Sequence, residues 1–189
     1  LVAKLGPHAL AAYAVSVNSL SFVLLIGMGF MAATLALTGQ QVGAGFENRI
    51  VQTAHRTLRL AWVLMGSLSI SFFLWPQAVL GLFTKDTTVL SLAQFGLRLL
   101  VLGIPFEAIN QVYTGVIRGV GDTHYPMWFT TLGHWLIRIP LIFILIEFTN
   151  LGLRSVWLAM VLEMAFRASL NSWRLRSNFW LQNNHLQSS

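Results

Sequence analysis

Glu107 is the residue of this sequence that most strongly indicates chemistry. It lies two residues after Pro105, in a largely apolar stretch that runs from residue 88 to residue 117. In a bilayer interior an ionised side chain costs about 2.5 kcal/mol or more, so such residues usually mark ion pathways, proton relays or ligand sites. We therefore predict that Glu107 binds a cation or a proton. The alternative is a structural carboxylate that an arginine on a neighbouring helix neutralises.

Polar residues follow this carboxylate at helical spacing. Asn110, Gln111 and Thr114 lie three, four and seven positions after it, so on an α-helix they share its face. We predict that this face lines a cavity. Asn18 and His134, which lie in other apolar stretches, are predicted to line the same cavity. For these two residues, a hydrogen bond inside the bundle is the alternative.

Pro105 is predicted to break the helix that carries Glu107. A proline has no N–H, so the carbonyl of Val101 loses its helical partner and the helix bends. In membranes such breaks are tolerated where the freed groups line a cavity or bond to neighbours. A freed carbonyl near the carboxylate could help to bind a cation.

Two further ionisable residues are predicted to form a structural ion pair. Arg138 and Glu163 each lie ten residues from the adjoining ends of their predicted helices, at residues 148 and 153, which corresponds to a depth of about 15 Å at 1.5 Å per residue. A pair between them would leave Glu107 free for function. Pairing of Arg138 with Glu107 is the alternative, and the sequence does not decide between the two.

Apolar helices must position all of these residues. Hydrophobic residues make up 56% of the 189 residues and charged residues 10%, against about 25% charged in a typical soluble domain. Since a span needs about 20 apolar residues, we predict an all-α membrane protein with five complete transmembrane helices and a short N-terminal stub within residues 1–176. The predicted helices cover residues 9–38, 58–83, 88–117, 125–148 and 153–175. Residues 177–189 are predicted to form a polar cytoplasmic tail.

The basic residues predict the orientation of the bundle. Six of them fall in connections on one side, against three on the other, Lys4, Lys85 and Arg154. The six are Arg49, Arg56, Arg59, Arg118, Arg174 and Arg176. The six-residue side and the C-terminus are therefore predicted to be cytoplasmic, in a multi-pass protein of the plasma membrane. Because the basic residues are scattered, the net charge of +6 does not indicate a nucleic-acid partner.

Small residues are concentrated in one part of the first predicted helix, residues 27–36. They let membrane helices approach closely, so a helix–helix contact is predicted there. The chain has no cysteine and no HExxH, GxSxG or CxxC pattern, and no metal site or organic cofactor is predicted. Because the first residue is leucine, the chain is expected to be the C-terminal part of a longer protein.

The order of several short motifs resembles the multidrug and toxic compound extrusion (MATE) family. In the tenth-helix region and the loop that follows it, the family has residues in an order similar to one found here: Pro105, Glu107, Gln111, Ile117-Arg118-Gly119-Val120-Gly121-Asp122-Thr123, Pro126. The start of the family's eighth helix resembles Leu10-Ala11-Ala12, and the loop after that helix resembles Val42-Gly43-Ala44-Gly45. The eleventh helix resembles the segment with Trp135, Arg138 and Pro140. Together these matches cover essentially the whole chain.

This resemblance implies a fold and a function. The fold would be most of the C-terminal six-helix lobe of a twelve-helix transporter, which would need an N-terminal lobe absent from this chain. The protein would export organic, often cationic or amphipathic, compounds in exchange for H⁺ or Na⁺ by alternating access of two lobes. Glu107 falls where the family places an acidic cation- or proton-binding residue.

Other functions compete with this expectation. A lipid-linked oligosaccharide flippase would need a cluster of cationic residues in its cavity, and Arg138 alone is weak support for one. An intramembrane enzyme would use Glu107 with His134 or Glu163 as acid and base. A structural subunit would pair every polar residue internally.

Overall fold

The computed structural model describes residues 6–148 and 152–177, and in this part of the chain it contains only helices and short connections. The long helices are α1 (Pro7–Gly43), α2 (Ile50–Leu74), α4 (Thr87–Val101), α5 (Ile104–Gly119) and α8 (Leu153–Arg176). The shorter ones are α3 (Pro76–Leu80), α6 (His124–Leu132) and α7 (Ile139–Phe148). A 3₁₀ turn, Glu47–Arg49, precedes α2, and a π-helical turn, Gly133–Arg138, joins α6 to α7. The predicted stub and residues 178–189 of the predicted tail lie outside the described residues.

Several of these helices are long and apolar enough to cross a membrane. They are α1, the continuous stretch Glu47–Leu74 and the continuous stretch His124–Phe148, and α4 with α5 makes a fourth span if the bent pair crosses as one. The predicted class, an all-α membrane protein, is thereby confirmed. Helix α8 has 24 residues but is less apolar, because it carries polar residues on its buried face.

The break in the third predicted span lies slightly before the proline. Helix α4 ends at Val101 and α5 begins at Ile104, with an angle of 50° between them. Pro105 is the second residue of α5, where the missing N–H deprives the helix of no bond. Its carbonyl accepts a hydrogen bond from Trp62 Nε1 at 3.1 Å. The predicted bend is present, but Leu102 and Gly103 form it.

Helix α5 is the centre of the bundle and packs on α1, α2 and α8. The closest approach is to α1, since a Cβ at Gly115 would lie 2.5 Å from the carbonyl oxygen of Met31 and 3.0 Å from Thr34 Cβ. The predicted small-residue contact is therefore present in part. Gly27 and Thr34 face the bundle, whereas Gly29 lies on the exposed face of α1.

Helix α8 is fixed at both ends. Near its start the buried Trp157 ring packs directly against Gly96 of α4. Near its end Arg174 donates to Asp122 Oδ2 through NH2 at 2.8 Å and lies over the ring of Tyr125, 3.7 Å from its centroid. These contacts hold the polar face of α8 against the first turns of α5.

Candidate functional site

Glu107 lies in the first turn of α5 and is 5% exposed. Its Oε2 accepts from Asn110 Nδ2 at 3.2 Å and from Arg167 NH2 at 3.1 Å. Its Oε1 accepts from Gln111 Nε2 at 3.1 Å. The two amides reach it because residues three and four positions apart share a helix face. Nitrogen donors therefore engage both carboxylate oxygens.

A polar stripe on α8 supplies the other half of the site. Glu163, Arg167 and Asn171 follow one another at intervals of four, which places them on one face of the helix. The Arg167 guanidinium contacts Glu163 Oε1 through Nε. Asn171 Nδ2 donates to Asn110 Oδ1 at 3.1 Å. Hydrogen bonds thus connect α8 to α5 at two levels.

The π-helical turn closes a third side of the site. His134 Nδ1 lies 3.7 Å from Glu163 Oε1 and 2.9 Å from the carbonyl oxygen of Thr130. Gly133 permits this approach, because a Cβ there would lie 2.9 Å from Arg167 Cγ. The His134 side chain is 43% exposed, against 3% for Glu163. His134 is therefore the outer edge of an otherwise buried group.

We name this group the Glu107 cluster, after its central carboxylate. It consists of Glu107, Asn110, Gln111, His134, Glu163, Arg167 and Asn171. Two carboxylates and one guanidinium give it a formal charge of −1 when His134 is neutral. A buried charge without compensation is costly. A further proton or a cation would make the cluster neutral.

The predicted ion pair between Arg138 and Glu163 is wrong. Arg138 NH2 donates to the hydroxyl of Tyr13 on α1 at 3.2 Å, and Glu163 pairs with Arg167 one turn further along its own helix. Equal depth does not bring two side chains together when they point in different directions around their helices.

The expectation that Glu107 is left free is also wrong. The alternative, neutralisation by an arginine on a neighbouring helix, describes the arrangement, with Arg167 of α8 as the arginine.

The structure brings together most, but not all, of the residues predicted to line a cavity. Asn110, Gln111 and His134 belong to the cluster. Thr114 is half-buried on the same side of α5, but in the described residues no side-chain hydrogen bond joins it to the cluster. Asn18 lies on the exposed face of α1, away from these hydrogen bonds.

Arg167 and Asn171 are the site residues that the sequence analysis missed. Their signal was the interval of four from Glu163 to Arg167 and from Arg167 to Asn171, the same spacing that joins Glu107 to Gln111. Opposite charges four residues apart on a helix attract each other. That local pairing would have competed with the proposed contact to Arg138.

An apolar groove of about 540 Å³ lies beside the helix break, between α2 and the junction of α4 with α5. Its walls include Trp62, Ile70, Phe73, Leu102 and Pro105. The groove is also lined by the Ser69 hydroxyl, but none of its side chains is a carboxylate or an amide.

The MatE family profile matches residues 1–144 of the 189. The chain belongs to the MatE family. The family membership that the motifs implied is thereby confirmed.

The relatives of this chain include bacterial proteins. The chain is 26% identical to the probable multidrug resistance protein NorM of Thermotoga maritima, over 93% of this chain and 38% of that protein. It is 23% identical to the uncharacterized transporter YisQ of Bacillus subtilis, over 96% of this chain and 40% of that protein. The chain thus spans about two fifths of the length of these relatives.

Solved transporter structures share the fold. A multidrug resistance MATE family transporter of the MOP superfamily in its outward-facing conformation aligns with a TM-score of 0.84 and 23% identity, over 92% of this chain and 38% of that one. A MOP superfamily transporter from Pyrococcus furiosus, described as having a binding pocket of reversed polarity, aligns with the same TM-score, identity and coverage.

Proposed function

We propose that this MatE family chain provides the ion-coupling site of a secondary active antiporter, with Glu107 as the residue that carries the coupling ion. The antiporter would export organic compounds, often cationic or amphipathic, in exchange for H⁺ or Na⁺. It would work by alternating access together with an N-terminal lobe. The observation that carries the proposal is the buried formal charge of −1 in the Glu107 cluster.

The charge of the cluster gives a reason for ion exchange. One added proton or one monovalent cation neutralises the site, whereas its removal restores a buried net charge that water would stabilise better. Release is therefore favoured when the cluster opens to solvent, and uptake is favoured when it is enclosed. Because His134 is partly exposed and adjoins Glu163, it offers a route by which a proton could enter.

The donor set favours a proton over Na⁺. Asn110, Gln111 and Arg167 all present nitrogens to Glu107, and the oxygen of the Asn110 amide accepts from Asn171. Hard cations prefer several oxygen ligands. A Na⁺ ion would need both amides to turn, whereas a proton needs only a carboxylate oxygen.

Dye efflux from vesicles tests the proposal. The full-length protein would be reconstituted, and efflux would be measured under an imposed H⁺ gradient and, separately, under an imposed Na⁺ gradient. Wild type would be compared with Glu107→Gln and with Glu147→Gln, a matched change at an exposed glutamate of α7. We expect Glu107→Gln to abolish H⁺-driven efflux and Glu147→Gln to preserve it. Unchanged efflux in Glu107→Gln would overturn the coupling role.

The same assay separates transport from the enzymatic alternative. The geometry brings Glu107 and Glu163 onto one guanidinium and His134 beside Glu163, so an acid and a base are close together. An enzyme would act on its substrate in detergent, without any gradient. Transport depends on the vesicle and on the gradient, and the relatives named as transporter and multidrug resistance protein favour it.

A plasma membrane location with the C-terminus in the cytoplasm is part of the proposal. The chain has no cysteine, so Ser177→Cys can be labelled selectively in a full-length protein whose other cysteines, where present in the N-terminal lobe, are replaced by serine. We expect an impermeant thiol reagent to label it in inverted vesicles and not in intact cells. The opposite labelling would reverse the orientation inferred from the basic residues.

A further inference from the structure

A small cavity adjoins the Glu107 cluster on the side of the arginine-rich end of the bundle, with Tyr113 one turn after Asn110 on α5. It has a volume of about 120 Å³ and lies between the start of α2, the second half of α5 and the end of α8. Its walls are formed by Val51, His55, Tyr113, Ser172, Leu175 and Arg176. Polar and apolar side chains share these walls, whereas those of the groove beside the helix break are mostly apolar.

Tyr113 contributes a hydroxyl group to the wall of this cavity. The residue as a whole is 8% exposed, and its hydroxyl, which is accessible from the cavity, makes no hydrogen bond within residues 6–148 and 152–177. The O–H of a largely buried tyrosine usually finds a hydrogen-bond partner. The Tyr113 hydroxyl is therefore available to donate to a group in the cavity, and the other wall residues determine which group that is.

The surroundings of the cavity select a negatively charged acceptor. Arg176 and His55 lie on its walls, and Arg56, Arg59 and Arg118 lie at the same end of the bundle. The acidic residues described at this end are Glu47 and Asp122, and Asp122 is paired with Arg174. Ser172 donates its hydroxyl proton to the carbonyl of Ala168 at 2.7 Å. Arg176, Tyr113 and His55 remain as donors.

We propose that this cavity binds the phosphate group of an anionic membrane lipid. At about 30 Å³ for each water of the liquid, the cavity holds only a few water-sized groups, which matches a single phosphate and not an acyl chain. Basic pockets between membrane helices at the cytoplasmic surface are suited to such headgroups. Exposed apolar side chains on the two flanking helices, Leu60 of α2 and Trp173 of α8, provide a surface for the acyl chains.

Lipid binding to the full-length protein in detergent tests this site. Native mass spectrometry would count bound phosphatidylglycerol, with phosphatidylcholine as the neutral comparison and inorganic phosphate as the water-soluble one. The variants would be Tyr113→Phe, which removes only the hydroxyl, and Arg176→Gln. The matched control is Arg118→Gln, an exposed arginine at the same end that does not line the cavity.

We expect one phosphatidylglycerol to be retained with preference over phosphatidylcholine. Tyr113→Phe should weaken its binding about tenfold, the effect of one hydrogen bond to a charged group. Arg176→Gln should weaken it about fivefold, as expected for one basic residue at an anionic surface. Arg118→Gln should leave it unchanged.

Three results would overturn the proposal. Equal losses for Arg118→Gln and Arg176→Gln would mean a diffuse surface attraction. Unchanged binding of phosphatidylglycerol to Tyr113→Phe would show that the hydroxyl takes no part in the site. Binding of inorganic phosphate with the same dependence on Tyr113, without preference for phosphatidylglycerol, would identify a soluble phosphate ion as the ligand. None of these outcomes depends on whether Glu107 couples transport to an ion.

Discussion

Arg167 of α8 donates to Glu107 of α5 at 3.1 Å, so the two helices share a buried ion pair. The same guanidinium also contacts Glu163. One guanidinium therefore neutralises part of the charge of two carboxylates. The Arg167 side chain is 16% exposed, that of Glu107 is 7% exposed and that of Glu163 is 3% exposed. The pair that fixes α8 against α5 is thus part of the site proposed to exchange ions.

Removal of the shared guanidinium should destabilise the bundle strongly. Arg167→Met leaves two buried carboxylates without a counter-charge, a change that typically costs about 3–5 kcal/mol. We expect a marked fall in the melting temperature, measured in detergent by tryptophan fluorescence. Adding Glu163→Gln should restore part of the loss, because only one carboxylate then remains.

The control for this prediction is Arg98→Met on α4. Arg98 is exposed and contacts only the face of Phe73 among the interactions described, 5.9 Å from the ring centroid. Its loss should change the melting temperature little. If Arg167→Met melts at the wild-type temperature, the guanidinium does not hold the two carboxylates.

The contact between α1 and α5 should not tolerate a methyl group. A Cβ at Gly115 would lie 2.5 Å from the carbonyl oxygen of Met31, and a backbone atom cannot move aside without shifting the helix. Gly115→Ala should therefore cost about 1–3 kcal/mol through overpacking, measured by thermal unfolding. Gly29→Ala is the matched change on α1, where no atom lies within 4 Å of the added carbon. Equal melting temperatures of the two variants would contradict this packing.

Asp86 should give α4 a pH-dependent stability. Its Oδ1 accepts from the backbone N–H groups of Thr88 at 2.8 Å and Val89 at 3.3 Å. These two bonds, and then the nearby His8, hold the pKa of Asp86 below its ordinary value of 3.8. Since the folded-state pKa is the lower one, the stabilisation is complete above the ordinary pKa and is lost as the pH falls through the lowered value.

Asp86→Ala should accordingly lower the melting temperature near pH 7, and its difference from wild type should shrink at about pH 3 and below. Asp86→Asn keeps a capping oxygen without a titrating group, so its difference from Asp86→Ala should be the same at both pH values. A wild-type advantage over Asp86→Ala that is just as large in acid would contradict the role of the ionised cap.

Local patterns in the sequence predicted much of the structure. The apolar stretches predicted the membrane class, and the spacing of Asn110 and Gln111 from Glu107 predicted a shared face. Both predictions depend on one helix at a time, where periodicity alone sets the geometry. The bend was also predictable, although it lies at Leu102 and Gly103, because Pro105 begins a new helix more readily than it interrupts an old one.

Contacts between helices were not predictable in the same way. Depth in the membrane gave Arg138 and Glu163 the same height, but it carried no information about the direction in which either side chain points. Arg138 instead reaches Tyr13, which is 125 residues earlier in the chain. The partner of Glu107 could not be identified either, because depth in the membrane does not distinguish between arginines that lie at the same height.

The π-helical turn at Gly133–Arg138 changes the phase of its helix. Before it, the buried positions Pro126, Phe129 and Gly133 are three and four residues apart, and this α-helical spacing would bring residue 136 or 137 and then residue 140 inward. Instead Pro140 is exposed and Ile142 is buried. Each residue of an α-helix turns by about 100°, as 3.6 residues complete a circle. One wide turn therefore redirects every later side chain, and a helical wheel drawn through this segment assigns the wrong residues to the protein interior.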